Sequence, residues 1–164
     1  MIKRTLPLLA SLVLAGVTPA LGAPPETSIR YSSVVAGGGA LNGWQASCAI
    51  PSWSSRSGLV LDAGGYYASG GAAHALLAGP RVSTRTGQRA ALFAQVLAGV
   101  LFIDDGIVFV AHPGAGVDVA LGKDLALRAE VDWPLIGQGG VAFNLARVSA
   151  GLVFHPALVR KPQP

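Results

Sequence analysis

Three histidines, one cysteine and eight acidic residues are all that 164 residues offer for side-chain chemistry. His74, His112 and His155 are the candidates for acid–base work. A nucleophilic site needs a base within hydrogen-bond reach of the nucleophile, and a third group to orient that base. None of the three histidines lies beside a serine at a spacing that puts both on one strand face. Asp104-Asp105-Gly106 brings two carboxylates together without a further acid nearby, so it reads as a solvated turn rather than a metal site. Gly37-Gly38-Gly39 has no helix after it to cradle a phosphate and also reads as a turn. Cys48 has no partner within the chain, so an intramolecular disulfide is excluded, and the thiol is expected buried or in an apolar medium. The expectation is a protein without a catalytic site, metal or cofactor.

The charges instead follow a pattern of parity. Between Leu125 and Leu135, Arg128, Glu130 and Asp132 occupy one set of alternate positions, and Leu127, Ala129, Val131 and Trp133 occupy the other. Side chains alternate across a strand, so this segment is a strand with one polar and one apolar face. Extending the reading gives eight strands, near 27–36, 41–50, 57–67, 73–85, 89–102, 108–121, 125–136 and 141–154. Gly-, Asn-, Asp- or Pro-containing turns separate them, including Pro51 to Arg56. Each strand reaches the ~9–11 residues that a tilted membrane strand needs. The fold class read from this is all-β, an eight-stranded antiparallel up-and-down transmembrane barrel behind a signal peptide.

The start of the chain reads as an export signal. Lys3 and Arg4 precede an apolar run from Leu6 to Val17, and small residues follow to Ala23, with cleavage expected between 22 and 23. The expected organisation is therefore a signal at 1–22, a barrel domain at 23–156 and a short tail at 157–164. The net charge is +4, and loss of Lys3 and Arg4 leaves +2, which gives no argument for nucleic-acid binding. Charged residues make up 12% of the chain, about half of the ~25% usual in soluble domains.

Alternation alone does not say which face is outside. A lipocalin-like barrel would turn its charges to water. The eight strands, however, contain no lysine and one glutamate, whereas soluble surfaces favour both residue types. A closed eight-stranded barrel has room inside only for packed side chains, where charges must be paired. The polar face supplies Arg30, Arg81, Arg85, Arg128 and Arg147 against Asp62, Asp118, Asp132 and Glu130, a near balance of signs. These nine are the expected lumen charges. Asp118, Arg128, Glu130, Asp132 and Arg147 are expected to form one network. Pro80, Pro113 and Pro134 lie within strands and each removes a ladder donor.

The last strand, Ser149-Ala150-Gly151-Leu152-Val153-Phe154, resembles the assembly signal of bacterial outer-membrane β-barrels. Leu41-Asn42-Gly43-Trp44, Gly79 to Ser83, Arg89 to Gly99 and Gly116 to Val119 are similar to small OmpA-type eight-stranded barrels. The resemblance spans the whole chain after the signal. It implies an outer-membrane location and recognition of Ser149, Gly151 and Phe154 by the barrel-assembly machinery. Membrane lipid and lipopolysaccharide are the expected partners, and nucleic acid is not. The tail from His155 to Pro164 departs from the family, whose members commonly stop at the aromatic residue. The function expected is non-enzymatic, structural or interactive. Two alternatives stand beside it: an enzyme acting on lipid A, and an exported soluble barrel holding a small apolar ligand.

Overall fold

A computed structural model describes residues 25–36, 39–54, 56–68, 71–86, 89–103, 106–136 and 145–154. Alternating sequence becomes strand throughout. The strands are β1 (Glu26–Ala36), β2 (Gly39–Ser54), β3 (Ser57–Ala68), β4 (Gly71–Thr86) and β5 (Ala90–Ile103). They continue with β6 (Gly106–Ala120), β7 (Leu125–Asp132), β8 (Leu135–Ile136) and β9 (Ala146–Phe154). β1 to β6 pair antiparallel in chain order, β6 pairs with both β7 and β8, β7 pairs with β9, and β9 pairs with β1 from Thr27↔Phe154 to Val35↔Ala146. That last pairing closes the sheet into a barrel.

β7 and β8 are two parts of one barrel strand, which brings the total to eight. β6 holds the same register on both, with Gly114↔Asp132 on one side of the break and Ala111↔Leu135 on the other. The break at Trp133-Pro134 faces His112-Pro113, so two of the three in-strand prolines share a single gap in the ladder. Across it the backbone N–H of Trp133 still donates to the Pro113 carbonyl at 2.9 Å. Pro80 pairs with Leu59 of β3, while the β4–β5 ladder skips Gly79 and Pro80 and resumes without a shift. Both ladders keep their register across these two short gaps.

Two strand boundaries differ from those read in the sequence. Pro51 does not end β2, which runs on to Ser54, with an irregularity between Pro51 and Ser54 absorbing the missing donor. Strand seven is split rather than continuous. Residues 1–22, 137–144 and 155–164, and with them the signal, the tail and His155, lie outside the described residues. So do Gly37, Gly38, Asp104 and Asp105.

The faces are inverted relative to a soluble barrel. On β7, Ala126, Arg128, Glu130 and Asp132 are buried, while Leu127 and Ala129 are exposed. Ile29, Tyr31, Leu76, Val96, Phe109 and Val148 likewise stand on the exterior. Such a belt is stable where the surroundings are lipid, and the closed ladder satisfies the backbone there without water. Tyr31, Tyr67, Phe102, Trp133 and Phe154 are among its aromatic members.

Candidate functional site

The lumen is where the chain gathers its ionisable groups. Alternation aims every second residue of each strand inward, and closure brings those residues together across the barrel axis. The end that carries Glu26 and Phe154 is called here the terminal end; the opposite end holds the turns after β1, β3 and β5.

Near the terminal end, Arg128 is held by two acids. Its Nε and Nη2 donate to Asp118 Oδ1 and Oδ2 at 2.7 and 2.6 Å, and Nη2 also reaches Glu26 Oε1 at 2.7 Å. Arg81 Nη2 donates to the same Glu26 oxygen at 2.7 Å. Both guanidinium groups lie against the Phe93 ring, that of Arg128 at 4.5 Å and that of Arg81 at 5.3 Å. A planar cation can both fork onto a carboxylate and face a ring, which suits arginine and not lysine.

Deeper in the lumen, Arg30 bridges three strands by donating to Glu130 of β7 and to Asp62 of β3. Gln95 and Gln45 donate to the remaining oxygens of those acids at 2.9 and 3.3 Å. Arg147 completes this tier. It donates from Nε to Asp132 Oδ2 at 2.9 Å and from Nη1 to the Tyr66 hydroxyl at 2.8 Å, and its Nη2 lies 3.7 Å from Glu130. Arg147 and Asp132 are fully buried, and Arg128 is 1% exposed. Buried charges of this kind persist only when paired and hydrogen-bonded.

Eight of the nine expected lumen charges meet in these contacts: Arg30, Asp62, Arg81, Asp118, Arg128, Glu130, Asp132 and Arg147. They form two tiers, with Arg128 in one and Arg147 in the other. Two expectations are corrected: Asp118 and Arg128 stand in one tier and Glu130, Asp132 and Arg147 in the other, in place of one network, and Arg85 is not a lumen charge. β3 ends its pairing at Ser57↔Val82, so Arg85 lies beyond the last rung and is exposed at the terminal rim. Glu26 takes part although it was not among the nine; it sits one residue ahead of the start read for the first strand, with the parity of Ser28 and Arg30. Tyr66 and Phe93 share lumen parity too, and as aromatic residues gave no polar signal.

Beyond the second tier the lumen becomes apolar. Val34, Tyr66, Ala75, Leu97 and Val110 are buried there. His112 lines this region, 4% exposed, and its Nδ1 has no hydrogen-bond partner. His74 lies on β4, edge-on to the Tyr67 ring at 5.9 Å. Cys48 is buried.

No family model matches the chain, and no curated protein matches it. Solved structures do. Neisserial surface protein A aligns with 85% of this chain and 100% of its own, at 15% identity and a TM-score of 0.58. A designed transmembrane β-barrel gives the same coverage and TM-score at 20% identity. Ail, the attachment invasion locus protein of Yersinia pestis, aligns with 79% of this chain and 95% of its own, at 11% identity and a TM-score of 0.53. The chain has the fold of these eight-stranded transmembrane β-barrels.

Within this barrel, the residues of the last-strand motif have distinct placements. Ser149 is buried in the lumen and Phe154 is exposed at the terminal end. Gly151 stands level with Arg30 on one side and Arg128 on the other. A Cβ there would come within 2.1 Å of the Ile29 carbonyl oxygen and 2.9 Å of Arg30 Cγ. Glycine at 151 therefore makes room for an inward arginine, a packing reason that stands apart from any recognition of the motif.

Proposed function

We propose that the protein is an exported, non-enzymatic barrel of the bacterial outer membrane, with a structural or interaction role and a lumen closed by paired charges. The observation that carries this reading is the double tier of ion pairs, which fills the lumen cross-section with side chains that water barely reaches. The apolar exterior supports placement in a bilayer, and the basic, apolar, small-residue order of residues 1–23 supports export. Lipid and lipopolysaccharide are the surroundings this exterior fits, and the barrel-assembly machinery is the partner suggested by Ser149, Gly151 and Phe154.

The non-enzymatic part rests on the histidines. His74 packs against an aromatic ring, and His112 has no acid or carbonyl bonded to Nδ1 to orient it as a base. Two measurements test the reading together. The protein should fractionate with outer membranes and migrate differently on detergent gels before and after boiling. In planar bilayers it should show little or no steady conductance. A protein that stays monodisperse without detergent would remove the membrane assignment, and a large reproducible channel would remove the closed lumen.

A further inference from the structure

We propose that the lumen beyond the charge tiers is a binding cavity for a free amphiphile with a single alkyl chain, whose head group is received by His112. The cavity has a volume of about 320 Å³, at the lower end of the ~300–1,000 Å³ common for ligand pockets. Among the described residues its wall includes Val34, Tyr66, Ala73, Leu101, Val110 and Ile136. Its lining is almost wholly apolar, which suits an apolar guest.

One polar group interrupts that wall without being used by the protein. His112 is buried, and its Nδ1 lacks a hydrogen-bond partner, a costly arrangement unless something else supplies one. The hydroxyl of Tyr66, which also lines the cavity, is already engaged by Arg147. The paired charges below stop a chain from passing through. A hydroxyl or carboxyl head at His112, with its alkyl chain along the apolar wall, meets both features. The wall is also at its weakest there, because Pro134 lines the cavity beside the gap between β6 and the β7–β8 strand.

The test uses the full barrel in lipid nanodiscs with a photoreactive, diazirine-bearing decanoic acid, and adducts mapped by mass spectrometry. Adducts are expected on inward Val34, Leu101 and Val110, and excess plain decanoic acid should suppress them. Adducts on outward Leu76 and Phe109 report the surrounding bilayer and should resist competition. Val110→Trp, checked for folding by its gel shift, should abolish the inward adducts. His112→Leu should retain saturable labelling while weakening binding about fivefold, the value of one neutral hydrogen bond. Labelling confined to outward residues would overturn the proposal. So would inward labelling by a diazirine phospholipid that decanoic acid fails to displace, which would make the occupant a bilayer acyl chain. Unchanged affinity in His112→Leu would overturn the role given to the histidine.

Discussion

Arg128 grips Asp118 with two hydrogen bonds, of 2.7 and 2.6 Å, directly across the β6–β7 ladder. Because Glu26 takes a third bond from the same guanidinium, the pair also ties the middle of the chain to its first strand. Arg128→Ala leaves Asp118 without its partner in a poorly hydrated lumen, while Glu26 keeps Arg81, and the expected loss is about 3–5 kcal/mol. Adding Asp118→Asn should recover much of it. Arg128→Lys should fall between parent and Ala, since an ammonium cannot reproduce the fork. Urea unfolding in lipid vesicles reads all three, and midpoints equal to the parent would refute the pairing.

Phe93 offers a second check on the same tier. Its ring lies against both Arg81 and Arg128, so it contributes both apolar volume and a face for two cations. Phe93→Ala should cost about 3–5 kcal/mol. Phe93→Leu retains apolar bulk and should lose about 1 kcal/mol for the missing ring face, in addition to any repacking. Equal losses for the two substitutions would assign the residue to its ring face, and a loss near zero for Phe93→Leu would assign it to volume alone.

The exterior should respond to charge according to depth. Val96 is 53% exposed in the middle of β5, and Leu127 is 46% exposed near the terminal end of β7. An arginine costs about 2–4 kcal/mol at the bilayer midplane and about 0–1 near an interface, so Val96→Arg should exceed Leu127→Arg. Ser83→Arg, on the opposite parity near the terminal rim, should be milder than Val96→Arg. Folded yield in lipid vesicles ranks them, and equal tolerance would contradict the assignment of faces.

Glycines separate by what a methyl group would strike. Gly151→Ala would drive a Cβ to 2.1 Å from a backbone oxygen, whereas Gly122 has nothing within 4 Å of that position. Overpacking of this kind costs about 1–3 kcal/mol or more, while Gly122→Ala should stay within about 0.5 kcal/mol of the parent. The comparison also separates packing from recognition of the last strand. If Gly151→Ala folds normally in vitro yet fails to assemble in cells, the glycine acts through assembly.

The sequence by itself determined the strands, their number and the two faces. A period of two in residues such as Arg128, Glu130 and Asp132 is a local property, fixed by backbone geometry before any long-range contact forms. The absence of lysine from the polar face told which side was enclosed. Partner choice was decided only by the closed sheet. Register places Arg30 between Glu130, 100 residues away along the chain, and Asp62, 32 residues away, and no spacing encodes that meeting. Register also carried Arg85 past the last rung of β3 and drew Glu26 in. The apolar far lumen was hidden for a different reason. Where Val34, Leu97 and Val110 face inward, the outward neighbours are apolar as well, so the alternation that marks a strand's faces vanishes. Only closure, which sets those side chains opposite one another, turns them into a cavity.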